Sequence, residues 1–206
     1  MDERNLLEIG REYDAQDNIE KAYRYYLEAA LSGTDGEAIY SLAQLYWSGD
    51  YVGQDIDKAC HYFELAYECG YEIPAEYYIT IGHNYTQERS YHKKDFDKAS
   101  IWFHRALEKG IDYAYACLGA MYYEGDLVEQ DYKKAYELFI QSGVKDSMPL
   151  YYLGQMYEFG FYVKQDMDKA LEYYHKIVDE HPYEGDLHYD LAVEWLSDYQ
   201  LSLIME

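Results

Sequence analysis

Residues 114–143 read AYACLGAMYYEGDLVEQDYKKAYELFIQSG. Ala114, Leu118, Met121 and Tyr122 fall at i, i+4, i+7 and i+8, one apolar stripe of a helix, and Ala135, Leu138 and Phe139 begin a second stripe. Between the stripes, Gly125 supplies a left-handed backbone that ends the first helix, Val128 plugs the loop into the core, and Asp131 is placed to cap the second helix. The stretch predicts two amphipathic helices joined by a tight loop.

Outward from it, the same marks recur. A Lys-Ala pair stands at Lys21-Ala22, Lys58-Ala59, Lys98-Ala99, Lys134-Ala135 and Lys169-Ala170, with successive alanines 37, 40, 36 and 35 residues apart. Upstream of each pair, a small residue is followed three places later by tyrosine: Gly10/Tyr13, Ala43/Tyr46, Gly82/Tyr85, Gly119/Tyr122 and Gly154/Tyr157. The small residues let the partner helix approach closely, and the tyrosines cover the crossing. Three loops share G-x-x-V-x-Q-D, at 49–55, 125–131 and 160–166. One such hairpin cannot bury its apolar face alone, so the expectation is a single all-α domain over 1–206, an α/α superhelical solenoid. Its repeats are expected at about 4–33, 35–70, 74–110, 112–143 and 146–180, followed by one or two capping helices in 184–206 in which Trp195 and Leu196 cover the open end.

Two units are irregular. The first has nine residues from Tyr13 to Ala22 against 13 or 14 elsewhere, and the third has a basic loop, Gln87 to Lys94, without Gly or Val. In the three shared loops Tyr51, Leu127 and Tyr162 stand two residues after the glycine, which leaves the turn geometry open.

The composition of the 206 residues narrows the function. Apolar residues at 49% and only three prolines argue for a packed chain, and 29 tyrosines suit thin layers whose core lies near the surface. Seventeen Lys plus Arg against 40 Asp plus Glu give a net charge of −23, which repels phosphate backbones and anionic lipid, so neither direct nucleic-acid nor membrane binding is expected. With no long apolar run and no leader-like start, a cytoplasmic protein is expected. Cys60, Cys69 and Cys117 form no CxxC and read as reduced thiols. The pairs Asp55-x-Asp57, Asp95-x-Asp97 and Asp166-x-Asp168 begin as calcium loops do, but the third acidic ligand, the turn glycine and the closing glutamate are missing; they read as helix caps. The histidines show no metal-ligand spacing, and no nucleophile elbow or phosphate loop is present, so no enzyme, cofactor or metal is expected.

The segment Ala114 through Gly143 resembles the Sel-one-like repeat family, a branch of the tetratricopeptide-like solenoids, and the resemblance extends over about residues 5 to 179. It implies adaptor and assembly roles, with the first helix of each unit lining a concave face. The positions so implied are Arg4, Leu7 and Arg11; Glu37, Tyr40, Gln44 and Trp47; Glu76, Ile79, His83 and Thr86; Tyr113, Ala116, Ala120 and Tyr123; and Met148, Tyr151, Gln155 and Glu158. From these, Tyr40, Gln44, Trp47, Glu76, His83, Tyr113, Tyr123, Tyr151, Gln155 and Glu158 form the expected partner-binding set, aromatic and mildly acidic. Rings beside carboxylates suit a protein or peptide partner with a basic or amphipathic segment. The alternatives are an acidic nucleic-acid mimic that inhibits a nucleic-acid-binding protein and, more remotely, a regulatory subunit of an enzyme complex.

Overall fold

The computed structural model describes residues 5–32, 35–88, 93–180 and 185–205, the side chains of Leu203 and Met205 excepted. Arg4 and residues 89–92 of the basic loop lie outside the described residues. Among the described residues there are eleven helices and no strand. In chain order they are α1 (Leu6–Asp14), α2 (Ile19–Leu31), α3 (Gly36–Ser48), α4 (Ile56–Glu68), α5 (Glu76–Thr86), α6 (Phe96–Glu108), α7 (Tyr113–Glu124), α8 (Tyr132–Gln141), α9 (Ser147–Phe159), α10 (Met167–Glu180) and α11 (Leu187–Met205). None of the described helices is long and apolar enough to cross a membrane. The chain divides into two compact units, Met1–Trp102 and Phe103–Glu206.

Each hairpin is an odd-numbered helix followed by an even-numbered one, and the same three contacts close all five. The tyrosine carbonyl that ends the first helix accepts from the backbone N–H of the capping residue: Tyr13 from Asn18, Tyr46 from Asp55, Tyr85 from Asp95, Tyr122 from Asp131 and Tyr157 from Asp166, at 2.9–3.0 Å. The capping side chain then accepts from the lysine N–H three residues on, at 2.9 to 3.3 Å. Finally the lysine folds back over the tyrosine ring, with Nζ between 4.1 and 5.2 Å from the centroid in Lys21/Tyr13, Lys58/Tyr46, Lys98/Tyr85, Lys134/Tyr122 and Lys169/Tyr157. The two marks of the sequence thus meet in space. The calcium-like Asp pairs are caps, as Asp55, Asp95 and Asp166 demonstrate.

The shared loop holds its expected form, with an addition. Gly49, Gly125 and Gly160 have φ of 78°, 67° and 74°, the left-handed conformation a side chain resists. Gln54, Gln130 and Gln165 donate from Nε2 to the carbonyls of Trp47, Tyr123 and Glu158, each at 2.8 Å, which satisfies an orphan acceptor at the helix end. Of the residues in the second glycine's place, Tyr162 takes a left-handed φ of 63° while Tyr51 and Leu127 do not. The short first loop uses Asn18 as its cap and puts Asp17 at φ 58°.

Core packing explains the small residue of the first mark. A Cβ on Gly10 would lie 2.6 Å from the Tyr26 ring, one on Gly119 2.7 Å from Phe139, and one on Gly154 2.6 Å from Tyr174. The second helix therefore seats an aromatic ring in a notch of the first. One described helix, α11, follows the fifth hairpin, and its Ala192 and Leu196 join a buried cluster with Leu150, Ala170, Tyr174 and Ile177, against which Trp195 packs.

Replacing Gly154 by alanine gains up to about 1 kcal/mol of helix propensity but forces a buried ring to move, at about 1–3 kcal/mol. Net destabilisation is expected in urea unfolding, whereas Gly53→Ala, whose Cβ meets nothing within 4 Å, leaves the midpoint unchanged or slightly raised.

Candidate functional site

The expected binding residues sit on the odd-numbered helices of both units. In the first unit, α3 carries Tyr40, Gln44 and Trp47, and α5 carries Glu76 and His83. Tyr40 and Trp47 are half-buried and flank the buried Phe63 of α4, with centroids 5.6 and 6.2 Å away. Tyr77, not anticipated, stacks on Phe63 at 4.0 Å and meets Trp47 edge-on at 5.2 Å, and Tyr71 lies 4.9 Å from Tyr40. Exposed Gln44 donates to the Tyr40 hydroxyl at 3.1 Å, and Glu76 stands exposed at the start of α5. Burial, then neighbouring tyrosines and Glu76, push the Tyr40 hydroxyl up to about 12, so it stays protonated as a donor. Arg11 of α1 pairs with Glu37 of α3, joining two positions assigned to one face. His83 is half-buried, and burial lowers its pKa, so the ring is neutral at pH 7.

In the second unit, α7 carries Tyr113 and Tyr123, and α9 carries Tyr151, Gln155 and Glu158. The Tyr123 hydroxyl donates to Gln155 Oε1 at 3.1 Å, and Gln155 Nε2 to the Tyr151 hydroxyl at 3.2 Å. This chain brings three expected residues together on two helices. His188 of α11 sits against it, its ring 5.6 Å from both Tyr151 and Tyr152.

Other assigned positions serve the fold. Leu7, Ala116 and Met148 are buried. Glu158 is the clearest difference: its Oε2 accepts from Tyr174 at 2.8 Å and its Oε1 from Trp195 Nε1 at 3.0 Å, so the carboxylate ties α9 to the core tyrosine of α10 and to α11. Its partners lie 16 and 37 residues away, beyond what helical spacing reveals. Tyr152, absent from the expected set, donates to Glu124 at 2.6 Å. Together with Tyr26 on Asp14 and Tyr85 on Glu64, these pairs employ carboxylates as acceptors for tyrosines that are buried or, for Tyr152, half-buried. Nothing in either arrangement sets a nucleophile beside a base, and among the described residues no group of His, Cys, Asp and Glu could hold a metal ion.

Glu158→Ala leaves the Tyr174 hydroxyl and Trp195 indole without their acceptor, at about 1–3 kcal/mol for a buried donor. Lower thermal stability and a red-shifted, more quenchable Trp195 emission are the expected outcome. His188 has a pKa lowered by burial, against the raising effect of Asp186 and Glu124. The unfolded chain therefore binds the proton more readily, and the stability His188 contributes is complete above its ordinary value of 6.5 and is lost as pH falls below it. The melting temperature is expected to fall between pH 7 and 5.5, and to fall less steeply in His188→Gln.

Comparison with known proteins matches this architecture to one family. No curated protein matches the chain. Among solved structures, a Sel1 repeat protein from Oxalobacter formigenes is 27% identical, with a TM-score of 0.56, over 85% of this chain and 72% of that one. The protective antigen c5321 of uropathogenic Escherichia coli, which has an SLR fold, is 24% identical, with a TM-score of 0.43, over 84% of this chain and 45% of that one. A Sel1 repeat protein from Klebsiella pneumoniae subsp. pneumoniae is 21% identical, with a TM-score of 0.45, over 94% and 90%. The Sel1 repeat model matches residues 7–34, 36–71, 82–111, 113–143 and 150–180, so the chain belongs to the Sel1 repeat family, all-α repeat proteins that mediate protein–protein interaction.

Proposed function

We propose that the chain is a non-enzymatic adaptor that binds a protein partner through its odd-numbered helices, taking a basic or amphipathic segment of that partner on aromatic rings edged by carboxylates. The observation that carries this reading is the platform of Tyr40, Trp47 and Tyr77 around Phe63, with exposed Gln44 and Glu76 at its edges. Half-exposed Trp and Tyr rings already fixed by packing lose little entropy when a partner covers them, and such rings dominate binding energy in protein interfaces. A lysine or arginine over Tyr or Trp gains about 0.5–2 kcal/mol from the ring, and the carboxylates add attraction that fades with salt. In the second unit, the Tyr123–Gln155–Tyr151 chain offers polar handles of the same kind. Carboxylates that cap helices or accept from tyrosines are held by the fold, which favours this reading over mimicry of a phosphate backbone.

The test is affinity capture from host extract with the native chain and with Tyr40, Trp47, Tyr123 and Tyr151 all changed to alanine. The partner that co-elutes with the native chain is expected to be lost from the variant, provided circular dichroism finds it equally helical. Retention of that partner by the variant would falsify the proposal.

A further inference from the structure

The odd-numbered helices α3 and α9 each pack between the even-numbered helix before them and the one after, and neighbouring residues in them are buried together, Leu42 with Ala43 and Leu153 with Gly154. α11 packs against α10 and α9, and of its described side chains only Ala192 and Leu196 are buried. Apolar residues nevertheless stand on its opposite side: Leu187 is 66% exposed, Val193 36%, Leu201 57% and Ile204 81%. Val193, Ser197, Leu201 and Ile204 fall at i, i+4, i+8 and i+11, a single stripe about three turns long. The first described helix gives the contrast. The exposed residues of α1 are Glu8, Arg11, Glu12 and Asp14, all charged, as the outer face of a terminal repeat requires in water. α11 thus has the all-round apolar character of a helix covered on two sides and is covered on one.

Charge identifies what fits this face. Asp190, Glu194 and Asp198 fall at i, i+4 and i+8 beside the stripe; all three are exposed, and none makes an ion pair among the described residues. Asp186 is different, because its carboxylate accepts from Ser147 Oγ at 2.7 Å and from the backbone N–H groups of His188 and Tyr189 at 2.8 and 3.1 Å. No lysine or arginine follows Lys176 in the 206 residues. Like charges at i and i+4 repel, so the row lowers the stability of the free helix, and an opposite charge laid beside it relieves that repulsion. A second copy on this face would set carboxylate against carboxylate. An apolar stripe bordered by carboxylates is instead complementary to a helix with apolar residues at the same spacing and lysine or arginine next to them. Such a helix on α11 continues the packing that α10 begins, as α3 and α9 are packed within the chain.

We propose that the outer face of α11 is a docking site for a basic amphipathic helix of a partner protein. The partner's apolar side chains cover Val193, Leu201 and Ile204, and its lysines or arginines pair with Asp190, Glu194 and Asp198. This surface is distinct from the platform of Tyr40 and Trp47 and does not rest on the function proposed for that platform.

Titration of the ¹⁵N-labelled full chain with three designed peptides, each acetylated and amidated, tests the assignment. The first is a helix with a leucine stripe bordered by lysines, the second has glutamates for the lysines, and the third is a scramble of the first that loses the stripe. Saturable chemical-shift changes at Val193, Ser197 and Leu201 are expected with the first peptide and not with the other two. Val193→Gln/Leu201→Gln changes only exposed side chains, so it should keep the melting temperature and weaken binding about tenfold or more through lost apolar burial. Asp190→Asn/Glu194→Gln/Asp198→Asn should weaken binding about tenfold, as three exposed ion pairs do together, and flatten its dependence on salt. Tyr40→Ala/Trp47→Ala should leave the changes at α11 as they are, so the two surfaces succeed or fail separately. Equal changes with the scramble or the glutamate helix, no changes at α11 with millimolar lysine helix, undiminished binding by folded Val193→Gln/Leu201→Gln, or sedimentation of the free chain as a dimer that this variant dissociates would overturn the proposal.

Discussion

In every hairpin a lysine lies over a tyrosine, and that contact joins the end of one helix to the start of the next. The geometry is cooperative. The capping residue's N–H holds the tyrosine carbonyl and its side chain holds the lysine N–H, so the lysine begins the second helix at a fixed place and its side chain reaches back to the ring. A lysine over a tyrosine near the surface contributes about 0.5–1 kcal/mol and a cap about 1 kcal/mol, modest alone but repeated in five hairpins. Because the closure fixes only the two ends of the loop, what lies between can vary. The first hairpin makes it with Asn18 across a short loop, and the third makes it without the G-x-x-V-x-Q-D segment.

Once the ends are fixed, the interior follows. The hairpin places an aromatic ring of the second helix against a glycine of the first, as Tyr26 against Gly10 and Tyr174 against Gly154. Close approach buries these rings completely, and a buried tyrosine requires an acceptor for its hydroxyl. Asp14 and Glu158 provide it for Tyr26 and Tyr174. Abundant tyrosine and abundant carboxylate are therefore partly one feature. Some of the acidity supports the core, and it is not all surface charge.

The helical order, the loops and the caps were legible because they are local: a glycine that must be left-handed or an aspartate that must cap is recognised within seven residues. The meaning of the marks was only half legible. Their spacing pointed to packing, but the lysine-over-ring contact appears only when the loop brings Lys134 back to Tyr122, and the conserved place of Gln54, Gln130 and Gln165 in the three loops was a signal left without a role. The proposed binding face was legible as helix positions and not as side-chain state. Tyr40 and Trp47 are half-buried around Phe63 as a binding platform requires, whereas Glu158 is engaged by partners on two later helices. Periodicity within one helix carries no information about contacts made from another.

The same reasoning explains why the junctions between hairpins can differ in their side chains. A repeat protein draws its stability from contacts within each hairpin and with its neighbours, so a weakened junction does not unfold the remainder. At the junction of α4 and α5, Glu64 accepts from Tyr85 and Asp57 from Asn84, and the third hairpin keeps its own closure through Tyr85, Asp95 and Lys98. The lysine that closes that hairpin also faces Glu64 across the junction, so one side chain serves both the hairpin and its neighbour. The closure lies within the hairpin and not at the junction, which lets this junction differ from the others without loss of the repeat.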